Sequence, residues 1–273
     1  GRRYRARYVI GADGANSVVA RSLGLRRGKT IAAAIEVEVP APPEVRQRFA
    51  GALCFIFGEV PLGYLWVFPK AEHLSIGIGA LRPGPGQLQA TLRRVMAGYG
   101  LLLDGVPLHG HPIPIYMGSE KLSTRRVLLV GDAAGLADPL TGEGIHLAIK
   151  SSELAARAIR QDCLDRYGEW IHRSIGRSHS IGLALAWLFY HFPRTCLQLG
   201  ARNPFITRTF VDMLSDRIGY PGTLMTIVTT TPAHLALEGV LALMGLVAGP
   251  ERTRRLRRAI DLAEAHDRWP LPS

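Results

Sequence analysis

The spacing of apolar positions divides this chain into four stretches. Residues 7–11, RYVIG, form a short apolar run ending in glycine, which predicts a buried strand followed by a turn and a short helix over ADGANSVVARSLGL. IEVEV at 35–39 alternates strictly, as a half-buried strand does. ALCFIFGEVPLGYLWVFPK at 52–70 predicts two strands, and HLSIGIGAL at 73–81 another. Leu88, Leu92 and Val95 share one face of a helix predicted over 87–100. PLHGHPIPIY at 107–116 reads as extended and proline-rich. Val127–Val130 form a second buried strand, followed by a loop of small residues and a helix. On that helix Ile145, Ala148, Ile149, Ser152 and Ala156 make a mostly small face, suited to lying close to a sheet. From about 161 onward the pattern is helical, with breaks near Pro193 and at Tyr220-Pro221-Gly222 and a last helical region over 233–247.

Two α/β pieces flanking a β-rich insert are read as parts of one domain. The expected fold class is α+β, with a domain split between 1–30 and 118–160, a β-rich domain at 31–117 and a helical region at 161–273. The chain opens on glycine in the middle of a basic, strand-like run, and is read as the downstream part of a longer protein.

Composition narrows the chemistry. Hydrophobic residues make up 47% of the 273, and charged residues 20%, as in a globular protein. A formal charge of +11 attracts phosphates or anionic lipid. Its short arginine runs, Arg26-Arg27 and RTRRLRR at 252–258 among them, are read as solvated surface and not as a nucleic-acid site. Cys54, Cys163 and Cys196 form no CxxC, and the nine histidines show no paired ligand spacing, so neither a disulfide framework nor a metal site is expected. The apolar tail pieces 181–192 and 235–249 are too short or too interrupted to span a bilayer. Contact with a membrane surface and ordinary helical packing both remain open for them. A cytoplasmic location is the expectation, with contact at the membrane surface as one of these two readings of the tail.

Three stretches carry candidate chemistry. Asp13-Gly14 follow the first buried strand, where glycine lets backbone approach a ligand and aspartate can orient the loop by accepting N–H groups. Gly131-Asp132 stand at the carboxyl end of the second, where ligands bind in α/β folds and a carboxylate can accept a ribityl or ribose hydroxyl. Beyond Ala133 the loop bends at Pro139, Gly142 and Gly144 before entering a helix at Ile145. In the third stretch, strand periodicity puts Tyr64, Trp66 and Phe68 on one sheet face, as an apolar wall for a hydrophobic ligand or as an aromatic core stripe. Pro69 ends the strand and Lys70 follows in a turn. No GxGxxG occurs anywhere.

GADGANSVVAR followed by VLLVGDAAGLADPLTGEGIHLAI resembles the second and third flavin motifs of FAD-dependent oxidoreductases with the hydroxybenzoate-hydroxylase type of fold. Tyr64-x-Trp66-x-Phe68-Pro69-Lys70, followed by Gly77-x-Gly79, is similar to the signature of the geranylgeranyl reductase family. The resemblance implies a Rossmann-like FAD-binding domain with a β-rich substrate domain, whose upstream GxGxxG part is not in this chain. It implies FAD-binding roles for Asp13, Gly14, Gly131, Asp132, Ala133, Pro139, Gly142, Glu143, Gly144 and Ile145. It implies a substrate cavity shaped by Tyr64, Trp66, Phe68, Pro69, Lys70, Gly77 and Gly79. The activity implied is reduction of isoprenoid C=C bonds, with NAD(P)H or a small redox protein as electron donor and no metal. An aromatic hydroxylase or halogenase of the same fold is the alternative, and an inactive truncated fragment or non-enzymatic module, binding FAD weakly or not at all alone, a further one.

Overall fold

The computed structural model describes residues 2–27, 30–118 and 120–248. The arginine-rich run at 252–258 lies outside the described residues. The chain divides into two units, one up to Cys196 and one from Leu197 on.

The first unit holds two sheets. A two-stranded parallel sheet pairs β1 (Val9–Gly11) with β7 (Val127–Leu129), strands 118 positions apart in register. A five-stranded antiparallel sheet has the order β3 (Cys54–Phe57), β4 (Gly63–Pro69), β5 (His73–Leu81), β2 (Thr30–Pro40), β6 (His109–Ile115). Pro112 and Pro114 fit β6 because it is an edge strand, where a missing N–H breaks no ladder. Period-2 alternation decides the burial of the central strands. Leu65 and Val67 of β4, Leu74, Ile76 and Ile78 of β5 and Val37 of β2 are all fully buried. They pack on α3 (Gln87–Gly98) through Leu88, Leu92, Val95 and Met96. The other face of β4 presents Tyr64, Trp66 and Phe68, as the alternation predicts.

A second core surrounds β7. Leu128 and Leu129 meet Leu147, Ala155 and Ala158 of α5 (Ile145–Arg160) and Tyr167 and Ile171 of α6 (Tyr167–Ile171). The fully buried Tyr167 hydroxyl donates to the Leu129 carbonyl at 2.6 Å. Here the sequence reading needs a correction. The core face of α5 is Leu147, Ser151, Ala155 and Ala158, whereas Ile145 and Ile149 are 79% and 58% exposed. The Ala148, Ser152 and Ala156 row does not pack on a sheet; its small side chains leave room for a groove. A one-turn helix, α4 (Gly131–Ala134), and α2 (Pro43–Phe49) also form where the sequence reading has none. A π-helical turn, His172–Gly176, leads into α7 (Arg177–His191), and Pro193 starts α8 (Pro193–Arg202).

The second unit contains α9 (Pro204–Leu214) and α10 (Tyr220–Ala248). Asn203 caps α9 by accepting from Phe205 N at 3.1 Å, and its amide donates to Thr230 Oγ1 at 3.3 Å. The expected break at 220–222 is instead the start of α10, which runs through Pro232. Among the described residues no helix is long and apolar enough to cross a membrane.

Candidate functional site

The carboxyl ends of β1 and β7 open into a groove lined by Ala12, Gly14, Val130, Gly131, Asp132, Ala148, Ile149, Ser152, Glu153 and Ala156. Gly14 has φ +74° and empty space where a side chain would stand, so backbone is accessible there. Asp13 accepts from the N–H groups of Val18 at 2.7 Å and Val19 at 3.1 Å, capping α1 (Val18–Ser22). The Ser17 hydroxyl and these N–H groups hold its carboxyl below the usual aspartate range. The stabilisation is therefore present above the ordinary aspartate pKa and lost as pH falls through the lower folded value. Asp13→Ala should cost about 1 kcal/mol by loss of the cap, read from chemical denaturation.

Asp132 begins the turn after β7. Its carboxylate takes no hydrogen bond from the described residues and lies against Gly144, where a β-carbon would come within 3.1 Å of Oδ1. Burial pushes its pKa up, and Arg26 opposes the shift. Gly131, at φ +51°, fits under α5 because it has no side chain: a β-carbon would stand 2.9 Å from that of Ala148. Its N–H donates to Ser151 Oγ at 3.0 Å. An open glycine, an unengaged carboxylate and a helix N-terminus at Ile145 suit the hydroxyls and anionic groups of a dinucleotide. The residues present fit FAD.

Six residues along the same loop a cavity of about 320 Å³ opens. Its walls are the β4 face with Tyr64 and Trp66, Ile113 and Ile115 of β6, the 138–142 loop, and Leu183, Ala186, Trp187 and Tyr190 of α7. The loop is braced from within and without. Asp138 Oδ1 accepts from Leu140 N at 2.9 Å and Thr141 N at 2.8 Å. Asp138 Oδ2 faces the Nε2 of buried His179 at 3.8 Å, and burial holds that imidazole below the usual histidine range, Asp138 opposing. The Tyr64 hydroxyl donates to the Thr141 carbonyl, and Tyr190 to that of Leu140 at 2.6 Å. Burial pushes the Tyr64 pKa up to about 12, so it stays a neutral donor. Tyr190→Phe should cost about 1 kcal/mol and loosen this loop, seen as faster amide exchange at residues 140–142.

Tyr64, Trp66 and Gly79, with Pro139 and Gly142, line the cavity. Phe68, Pro69 and Gly77 do not, and Lys70 is exposed in the β4–β5 turn. Phe68 instead packs edge-on against Phe55 at 5.4 Å. Gly77 stands opposite Trp66 in register, and a β-carbon on it would lie 2.0 Å from the indole. Glu143 is exposed, and its carboxylate caps α5 by accepting from His146 N at 2.7 Å. Ala133 is buried in α4. Sequence reasoning read α7 as helix but missed that it walls the cavity, although Leu183, Ala186, Trp187 and Tyr190 fall at i, i+3, i+4 and i+7, a signal that could have found the face. It also missed Asp138, whose place before Pro139 and Thr141 is an Asx-turn signature. Among the described residues no cluster that could hold a metal occurs.

The sequence family described as FAD binding domain matches residues 1–77. Digeranylgeranylglycerophospholipid reductase 2 of Methanothermobacter thermautotrophicus is 34% identical over 190 residues, 62% of this chain and 47% of that protein. The chloroplastic geranylgeranyl diphosphate reductase of Arabidopsis thaliana is 36% identical over 155 residues, 55% of this chain and 33% of that protein. A geranylgeranyl bacteriochlorophyll reductase-like protein of Thermoplasma acidophilum, known by crystal structure, superposes with a TM-score of 0.63 at 25% identity, covering 85% of this chain and 61% of that one. The chain spans at most about half the length of these curated relatives.

Proposed function

We propose that this chain, which belongs to the geranylgeranyl reductase family of FAD-dependent oxidoreductases, is the part of a reductase that holds an isoprenoid chain against the flavin while its C=C bonds are saturated. The observation that carries the reading is the apolar cavity reached along the same loop as the dinucleotide groove. Bound FAD, once reduced, supplies the hydride.

The residues do the rest. Asp132 would accept a ribityl hydroxyl, and the backbone at Gly14 would hold the diphosphate. The loop backbone at Pro139, Gly142 and Gly144 would hold the ring. Tyr64 and Trp66, with α7 opposite, orient the alkene and exclude water. Both cavity tyrosines donate their hydroxyl protons to loop carbonyls. Trp187 and Phe192 stand 59% and 51% exposed at the end of α7, where a chain carried by a membrane lipid would enter.

The full-length protein containing this chain should, when reduced without oxygen, add two hydrogens per double bond to geranylgeranyl diphosphate or a geranylgeranyl lipid, read by mass spectrometry. No mass gain with either would overturn the reading. Substrate-coupled oxygen consumption would replace it with a hydroxylase or halogenase.

A further inference from the structure

Arg26 belongs to neither flavin motif and reads in sequence as half of a surface Arg-Arg pair. The structure buries it at 5% exposure. Its Nη2 donates to the Ala15 carbonyl at 2.7 Å, and its Nη1 donates to the Asp132 carbonyl. Those carbonyls lie 117 residues apart, in the two loops that follow β1 and β7. The guanidinium holds Asp132 by its main chain, so the carboxylate stays on the groove. Two further features fit a built position. Gly135, at φ +72°, leaves the space the arginine stem occupies: a β-carbon there would lie 2.9 Å from Arg26 Cδ. Arg26 itself has φ +49°, a left-handed backbone that few non-glycine residues adopt. Its Nε is buried without a hydrogen-bond partner. Asp132, Glu120 and Asp13 are the carboxylates whose charge it feels, and none of them hydrogen-bonds it; a guanidinium buried in this way costs folding free energy, and an apolar side chain would fill the same place at lower cost.

We propose that Arg26 is a positioning residue of the cofactor site: it ties the two flavin loops at fixed separation and sets a permanent positive charge behind them that favours the FAD diphosphate. The proposal rests on the FAD reading above. Its geometry is independent of where substrate binds. A tie between two carbonyls needs both prongs of a planar fork, and lysine supplies the charge with a single point of attachment.

The test compares Arg26→Met, Arg26→Lys and Gly135→Ala in the full-length protein, measuring FAD Kd by titration of the apoprotein and the apoprotein Tm. Arg26→Met should raise the FAD Kd by about thirtyfold or more, since both bonds to a charged donor are lost. Arg26→Lys should recover part of that loss and keep the salt dependence of binding that the methionine variant loses. Gly135→Ala, which displaces the stem without removing charge, should raise Kd by about tenfold, and its left-handed φ of +72° should also lower Tm by a few degrees. A methionine variant that binds FAD within about threefold of wild type overturns the proposal. So do lysine and methionine variants whose Kd values rise equally and in step with Tm, because that is a purely structural role. Should Arg26→Met not fold, Gly135→Ala decides, measured well below its Tm: an unchanged Kd overturns the proposal, and a raised Kd supports it. A wild-type protein that takes up no FAD sinks the cofactor reading itself, and this inference with it.

Discussion

Gly77→Ala is expected to cost about 2 kcal/mol of stability and to do so only while Trp66 is present. The two residues face each other across the β4–β5 ladder, and the indole lies over the Gly77 α-carbon, 2.0 Å from where a β-carbon would be built. The ring must then rotate off the sheet. It can move only toward the cavity it lines, because its flanks are taken by Tyr64 at 6.0 Å and Phe68 at 6.4 Å between ring centroids. On the function proposed above, the substitution should therefore also raise the KM of the full-length protein for a geranylgeranyl substrate, by about tenfold. In a Trp66→Ala background the same glycine change should cost no more than about 0.5 kcal/mol, the scatter seen between uncoupled sites. Chemical denaturation of the four proteins of this cycle measures the coupling. Additive costs would mean that Gly77 is there for some other reason than the indole.

Asp132→Ala is expected to weaken FAD binding by about tenfold to a hundredfold, the worth of one hydrogen bond to an ionised acceptor in a part-buried site. The groove offers that acceptor unengaged, beside Gly144. Its pH dependence follows from burial. Desolvation raises the Asp132 pKa above the ordinary 3.8, Arg26 opposing, so the ionised form burdens the ligand-free protein, and that burden is relieved as pH falls through the raised pKa. A flavin hydroxyl needs the ionised form. Affinity should thus decline as pH falls through that raised value, and Asp132→Ala should lose this limb of the profile. Flavin fluorescence titrations across pH read both. An alanine variant with wild-type affinity and an unaltered profile would remove Asp132 from the site.

Much of the architecture is legible in the chain because it rests on local periodicity. The strict alternation of IEVEV and of HLSIGIGAL gives strands whose buried members are Val37, Val39, Leu74, Ile76 and Ile78. The 3.6-residue spacing of Leu88, Leu92 and Val95 gives α3. The face of α5 is a different matter. Its small row and its core row both repeat at helical spacing, and only the position of β7 decides that Leu147, Ser151, Ala155 and Ala158 turn inward.

The candidate site divides in the same way. Asp13, Gly14, Gly131 and Asp132 can be read directly because each sits next to a strand end, and a strand end is a local feature. Tyr64-x-Trp66 and Gly77-x-Gly79 also show in the sequence as a pair of spacings, but their meaning does not. Antiparallel register sets Tyr64 opposite Gly79 and Trp66 opposite Gly77, and the indole takes the space that Gly77 leaves on the neighbouring strand. Register is a non-local choice, fixed by which face of the sheet must bury Leu65, Val67, Ile76 and Ile78. The α7 wall and the Arg26 tie are non-local too: Tyr190 reaches Leu140 across 50 residues, and Arg26 reaches Asp132 across 106. By itself the sequence determined the strands with clear alternation, the longer helices up to α7 and the chemical character of the two loops, but not the short α2 and α4 or the start of α10. The tertiary structure decided that an apolar helix closes a cavity and that an arginine from a basic run is buried between the loops, because burial and hydrogen-bond partners depend on what the fold brings within a few ångströms.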